Sequence, residues 1–370
     1  MFDYPEGIRS RIIKNINGLS MHILEAGYED NINKPCIFLL HGFPELAYSW
    51  RKILKPLSDA GYYVIAPDQR GYGNTEGWNN NFEGDISEYE ISNLITDIIC
   101  LVYSLEKKSI DCLVGHDFGS IVAAHAATIR PDIFKSVVLM SAPFSGMPSL
   151  ELSSVNQKSD IHEDLKNLVR PRKHYQWYYS TKNANDDMYN SNQGMKKFLR
   201  AYYHVKSGDW KYNDPFKLNG WTASELEKMP GYYIMDYLLG MAEQVDIEMP
   251  SEEEISSCKW LTDKELEYYV DIFNKTQFQG GLNWYRCMVD SKVQSNLRIY
   301  SDLKIHTPSM FIAGKKDWGI FQKPGVLEKM QEDACSNMKS CELIEGAGHW
   351  VQQEKPEQVI KLLLNFLSEL

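Results

Sequence analysis

The run Cys112-Leu113-Val114-Gly115-His116-Asp117-Phe118-Gly119-Ser120-Ile121-Val122-Ala123-Ala124 reads as a short apolar strand, a sharp turn and a helix of small residues. A carboxylate stands at the tip of that turn, in the pattern Gly-x-nucleophile-x-Gly. Both glycines have a steric task, because a side chain at either would collide with the neighbouring helix or strand. A carboxylate nucleophile attacks an sp3 carbon and becomes an ester, which a serine hydroxyl does poorly. Asp117 therefore points to alkyl transfer rather than ordinary acyl transfer.

Such a nucleophile needs an acid and a histidine, following it in that order along the chain. Asp317 comes after the apolar run Phe311-Ile312-Ala313, and His349 after Leu343-Ile344, each at the expected end of a late strand. Open α/β sheets bind ligands outside the carboxyl ends of their strands, so the three residues converge on one crevice. His349 would take a proton from water, while Asp317 fixes its tautomer and stabilises the imidazolium. His125, His162, His174, His204 and His306 fall in helices, the middle region or a connection, and His116 is expected to hydrogen-bond within the turn. His41-Gly42-Phe43-Pro44 ends the strand expected beside that of Asp117. The backbone amides of Phe43 and Phe118 are then the expected oxyanion hole. Gly71-Tyr72-Gly73 imitates a dinucleotide fingerprint, but the spacing to Gly77 and the Asn/Trp-rich loop behind it exclude that reading.

The elements that must hold these residues follow from the apolar pattern. Ile12–Ile16 and Met21–Leu24 flank Asn17-Gly18, a hairpin signal. Cys36–Leu40, Tyr62–Ala66, Ser136–Met140, Ser309–Ala313 and Cys341–Ile344 are strand-like. Helical spacing fits Trp50–Leu57, Ile91–Val102 and Val359–Phe366. This alternation predicts an α/β fold with a mostly parallel sheet flanked by helices. Between about Pro143 and Leu297 long apolar strands give way to aromatic, helix-compatible segments: Tyr175–Tyr179, Phe198–Tyr203, Tyr232–Leu239 and Leu266–Phe273. The expected organisation is core over 1–142, an inserted helical cap or lid over 143–297, and core again over 298–370. The stretch 245–254 reads as a solvated loop leading into a helix start.

Composition narrows the classes. A net charge of −11 with no basic block opposes binding to nucleic acid or anionic membranes. No stretch is long and apolar enough to span a bilayer, and the N-terminal residues lack a secretory pattern. Seven scattered cysteines, without Cys-x-x-Cys or a Cys/His cluster, fit a reduced, cytoplasmic setting and offer no zinc site.

Several motifs together resemble the α/β-hydrolase-fold epoxide hydrolases of the aspartate-nucleophile branch, over nearly the whole chain. They are His41-Gly42-Phe43-Pro44-Glu45 with Tyr48-Ser49-Trp50-Arg51, Asp68-Gln69-Arg70-Gly71-Tyr72-Gly73, and Gly115-His116-Asp117-Phe118-Gly119. Lys316-Asp317-Trp318 and Gly348-His349-Trp350, with Gln353-Glu354-Lys355-Pro356, complete the set. The resemblance implies two lid tyrosines that donate to the epoxide oxygen. Tyr285, in Gly281-Leu282-Asn283-Trp284-Tyr285-Arg286, resembles one; Tyr175, in His174-Tyr175-Gln176-Trp177-Tyr178, resembles the other, with Tyr178 and Tyr179 as competitors. Ring opening generates an alkoxide, and a phenol can donate a proton without being ionised at rest. The substrate pocket is assigned to His41, Pro44, Trp177, Trp284, Trp318 and Trp350. The implied reaction converts a small apolar epoxide and water to a vicinal diol, with no metal or organic cofactor; oligomeric state stays open. The chain departs from the family in having Phe118 where tryptophan is common, and in a longer stretch between the lid tyrosines.

Two other readings compete. Haloalkane or haloacid dehalogenases share the aspartate and histidine but bind halide through indole or amide N–H groups, or a carboxylate through a cation beside the turn; Phe118, Phe43, Ser120 and Ile121 supply none of these. A ligand-binding relative without turnover would keep the pocket and lose the triad, yet Asp117, Asp317 and His349 are intact.

Overall fold

The computed structural model describes residues 4–29, 31–150 and 160–370. Its centre is an eight-stranded sheet. The strands are β1 (Arg9–Ile16), β2 (Leu19–Ala26), β3 (Cys36–Leu40), β4 (Tyr63–Pro67), β5 (Cys112–His116), β6 (Val137–Met140), β9 (Ser309–Gly314) and β10 (Met338–Ile344). Two further strands, β7 (Arg172–His174) and β8 (Ile234–Asp236), pair separately. The sheet order is β1-β2-β4-β3-β5-β6-β9-β10, parallel from β4 to β10 and antiparallel at β2. Strands β3, β4, β5 and β6 are buried at every position, as expected when helices cover both faces of a parallel sheet. The edge strand β1 instead carries mostly exposed residues. Its hairpin turns on Asn17 and Gly18, both at positive φ (48° and 83°), the geometry of a type I′ turn.

Strand β3 lies between β4 and β5, so the chain leaves it in one direction and later returns on the other side. Crevices outside the strand ends open at such reversals. Asp117 sits there, at φ 52° between β5 and the helix Phe118–Ile129. The glycines permit the turn: a Cβ at Gly115 would lie 2.1 Å from the Gly119 carbonyl oxygen, and one at Gly119 would lie 2.5 Å from those of Leu40 and His41. Strand backbone cannot yield to a methyl group. Gly119→Ala should therefore cost about 3 kcal/mol of stability, the upper part of the overpacking range. Gly220→Ala, which meets nothing within 4 Å, should stay within about 0.5 kcal/mol. Paired urea unfolding curves check both.

Between β6 and β9 the chain forms an insertion of mostly short helices, with longer ones at Met195–Lys206, Asp263–Thr276 and Gln279–Val289. One expectation fails there. Tyr232–Leu239 is not helical: Pro230 turns the chain, and Ile234–Asp236 pairs antiparallel with Arg172–His174. The cross-strand partner overrides an aromatic pattern that reads equally well as helix or strand. The stretch 245–254 splits, with Val245 and Asp246 closing a helix and Ser251 capping the next through a reciprocal bond with Glu254.

The insertion is fastened to the sheet by polar contacts. Tyr203 donates to the Pro44 carbonyl (2.7 Å), Trp284 to that of Arg70 (3.0 Å), and Arg51 pairs with Glu265 (2.8 Å). Gly71 and Gly280 meet backbone to backbone, where either Cβ would lie within 2.7 Å of the other residue. That contact is the task of Gly71, whereas a Cβ at Gly73 would run into the Asp68 carboxylate. No helix among the described residues is long and apolar enough to cross a membrane.

Candidate active site

Asp117, Asp317 and His349 meet at the strand ends. Asp117 Oδ1 accepts from the Phe43 amide at 2.9 Å, and Oδ2 lies 3.2 Å from His349 Nε2 without hydrogen-bond alignment. On its other side, His349 Nδ1 faces both Asp317 oxygens at 3.2 and 3.1 Å. Asp317 is itself held by the Gly319 amide at 2.7 Å. An imidazole ringed by a carboxylate on each nitrogen is the arrangement of a base that turns toward the nucleophile. Asp317 and His349 are almost fully buried, whereas the Asp117 side chain keeps 14% exposure, leaving its face open to a reactant.

Burial alone would keep His349 neutral, but the charges of Asp317 and Asp117 outweigh it and push the imidazole up to about 9. Asp117 is likewise penalised by burial, yet His349, with Lys206 behind it, holds its carboxyl well below the usual carboxylate range. Both shifts favour an imidazolium beside an ionised Asp117 at neutral pH. Because the folded value lies above that of a free histidine, the stabilisation is complete below about pH 6.5 and is lost as pH rises through about 9. The urea midpoint of the wild type should accordingly fall between pH 7 and 10 by more than that of His349→Gln. Parallel curves for the two proteins would contradict the pairing.

The loop between β3 and the first helix is shaped by buried polar groups. His41 donates from Nδ1 to the Gly42 carbonyl and accepts at Nε2 from the Gln69 amide, so it braces the loop from behind and does not face the carboxylate. Glu45, the last residue of the His41-Gly42-Phe43-Pro44-Glu45 motif, is the hub. It receives the Gly42 amide (3.0 Å), His116 Nδ1 (2.5 Å) and the Gln352 and Gln353 side chains (2.9 and 3.3 Å). His116 reaches further than its own turn, because its Nε2 contacts the His349 carbonyl at 2.7 Å. One buried chain therefore links the Phe43 loop, the nucleophile turn and the histidine loop. Glu354 forms a second link: its carboxylate accepts the amides of Gly208 (2.7 Å), Gly348 (2.9 Å) and Trp350 (3.0 Å).

Above Asp117 lies an aromatic wall. The Tyr285 ring stands edge-on to Phe118 (5.2 Å) and Phe43 (5.5 Å), and 6.0 Å from Tyr175. Burial and the Asp117 charge raise both phenols well above 10, so each keeps its proton. Tyr285 makes no side-chain hydrogen bond among the described residues, whereas the Tyr175 hydroxyl accepts from Gln176 and donates to Gln322. The competing tyrosines are committed elsewhere: Tyr178 to Asp187 and the Met241 amide, Tyr179 to Tyr202. Phe118 opens its helix, where the first amides have no intrahelical acceptor.

The other pocket residues separate. Pro44 lends its carbonyl to Tyr203, and Trp284 and Trp350 spend their indole N–H groups on the Arg70 and Tyr203 carbonyls. Trp318 packs on Phe216, with its buried N–H unpartnered among the described residues. Trp177 is 39% exposed beside His162, which takes it out of the pocket. Among the described residues no group of three or more His, Cys, Asp or Glu side chains is placed to hold a metal ion.

Residues 35–356 match the model of the alpha/beta hydrolase fold family. Epoxide hydrolase B of Mycobacterium tuberculosis is 30% identical over 366 residues, spanning 97% of this chain and 98% of the relative. The chain belongs to the epoxide hydrolase family. Epoxide hydrolase A of the same organism is 29% identical over 379 residues, covering 98% of this chain and 99% of the relative. Among solved structures, an epoxide hydrolase from an endophytic Streptomyces superposes with a TM-score of 0.78 at 25% identity, over 98% of this chain and 96% of that one. Potato (Solanum tuberosum) epoxide hydrolase I gives 0.72 at 27% identity, over 98% and 100%. The family frame encloses the triad and the aromatic wall alike.

Proposed function

We propose that this epoxide hydrolase opens its substrate through a covalent ester on Asp117. The observation that carries the reading is the Asp117 carboxylate, ionised, with one oxygen held by the Phe43 amide and the other beside His349. The free oxygen, Oδ2, attacks a ring carbon and the carbon–oxygen bond of the epoxide breaks. Tyr175 and Tyr285 donate to the departing oxygen. Esterification removes the Asp117 charge that favoured imidazolium, so His349 becomes a base, oriented by Asp317. It takes a proton from water as that water attacks the Asp117 carbonyl carbon. The Phe43 and Phe118 amides hold the oxyanion, and collapse releases the diol. The insertion, 143–297, serves as the lid that carries both phenols. Seven free cysteines support a cytoplasmic setting.

A single turnover in heavy-oxygen water tests the reading. The label should enter the Asp117 carboxylate while the first diol leaves unlabelled, because the diol takes Oδ2. Label in the first-turnover diol would mean that water opens the ring directly. The dehalogenase reading is disfavoured by Phe118, an apolar ring beside the nucleophile, and by Trp284, whose indole N–H is already spent.

A further inference from the structure

Lys206 ends the helix Met195–Lys206 and is 3% exposed. Among the described residues four Lys and Arg are buried, and three of them have carboxylate partners: Arg51 with Glu265 at 2.8 Å, Arg70 with Asp97 at 2.8 Å, Arg200 with Asp263 at 2.7 Å. Lys206 has no carboxylate at ion-pair distance among the described residues. Its ammonium instead stands 5.0 Å from the Tyr233 ring, 5.2 Å from Tyr202, 5.8 Å from Trp350 and 5.9 Å from Tyr175 and Tyr232. Ring faces attract a cation but do not neutralise it. Nor can the residue drift away, since its carbonyl accepts the His349 amide at 2.8 Å.

A buried ammonium whose neighbours are ring faces and the Tyr202 hydroxyl, with no carboxylate at ion-pair distance among the described residues, is costly, and an apolar epoxide would gain nothing from it. Its position says what would. Tyr175 and Trp350 are shared between the cage and the reaction site, and the Lys206 charge is felt at Asp117. An anionic group on the substrate would be repelled by Asp117 unless a cation stood beside it. Lys206 is that cation. We infer that it is a specificity-determining residue that binds the carboxylate of an epoxide whose acid group lies within a few bonds of the ring. The inference rests on the ring-opening reading above and narrows it to a substrate class.

Matched probes test it: 3,4-epoxybutanoate and 5,6-epoxyhexanoate, each beside its neutral primary amide. Wild-type kcat/KM should favour at least one acid over its amide. Lys206→Met should lower the acid-to-amide ratio of kcat/KM by about 10- to 100-fold, as expected for losing a hydrogen bond to a charged group, whatever fall the two substrates share through Asp117. Hexanoate should inhibit wild-type turnover of the amide competitively, a readout that survives if the variant fails to fold. Parity between acids and amides in the wild type, or no inhibition by hexanoate, would overturn the carboxylate site while leaving ring opening intact. An equal fall on acid and amide in Lys206→Met would also overturn it, by showing that Lys206 only balances the Asp117 charge. Failure of the wild type on all four probes and on neutral aryl epoxides would defeat the ring-opening reading itself.

Discussion

His349→Gln should react once with an epoxide and then stop. In the proposed scheme, attack on the ring requires ionised Asp117 and the two phenols, none of which depends on His349 as a base. Hydrolysis of the resulting ester does depend on it, because water at neutral pH is a poor nucleophile without a proton acceptor. Intact-protein mass spectrometry should show an adduct of one substrate mass, located by digestion on the peptide that contains Asp117. Steady-state turnover should fall by at least about 10²- to 10⁴-fold. Asp117→Ala should show neither adduct nor turnover with its fold preserved. A His349→Gln protein that turns over without accumulating adduct would remove the two-step scheme. The variant also loses a cation beside Asp117, so some slowing of adduct formation is expected; the decisive quantity is the ratio of the two rates.

The phenol pair should behave non-additively. Tyr285→Phe leaves Tyr175 to stabilise the opening oxygen, and adduct formation should slow by roughly 10-fold to 10⁴-fold, the range for a positioned general acid. Removing both phenols should nearly abolish epoxide opening, because an alkoxide would then form in a buried, uncompensated position. A halide departs as a stable anion and needs no proton. Rapid-quench measurement of adduct in the single and double variants, with a haloalkane as comparison, separates the chemistries. Retained epoxide opening in the double variant, with haloalkane turnover lost, would move the chain to the dehalogenases. Tyr175 carries a further expectation: its hydroxyl donates to Gln322 in the free protein and must exchange that partner for substrate.

Residue type and chain order made the strand-end chemistry readable in advance. An aspartate between two glycines after an apolar strand, then an acid and a histidine after two more, leaves few other folds. The helical turn Tyr175–Tyr179 was not readable in the same way. Three tyrosines within one turn look alike in sequence, and only the partners of Tyr178 and Tyr179 separate them from Tyr175. Glu45 stands in a legible motif, but its role depends on His116 and Gln352, 71 and 307 positions away. Lys206 was invisible for another reason. A lysine closing a helix reads as a surface cation answering the helix dipole, and burial by five aromatic rings has no local signature.

Glu354 has a wider meaning than its three hydrogen bonds. One carboxylate, with no counter-charge at ion-pair distance among the described residues, grips Gly208 of the insertion and both neighbours of His349. Lys206 adds a fourth thread from the insertion to the histidine itself. The insertion is therefore sewn to the histidine loop at one corner. If the insertion serves as the proposed lid, loosening that seam to let a product escape would also slacken the backbone on both sides of His349. Throughput and stability pull on the same stitch.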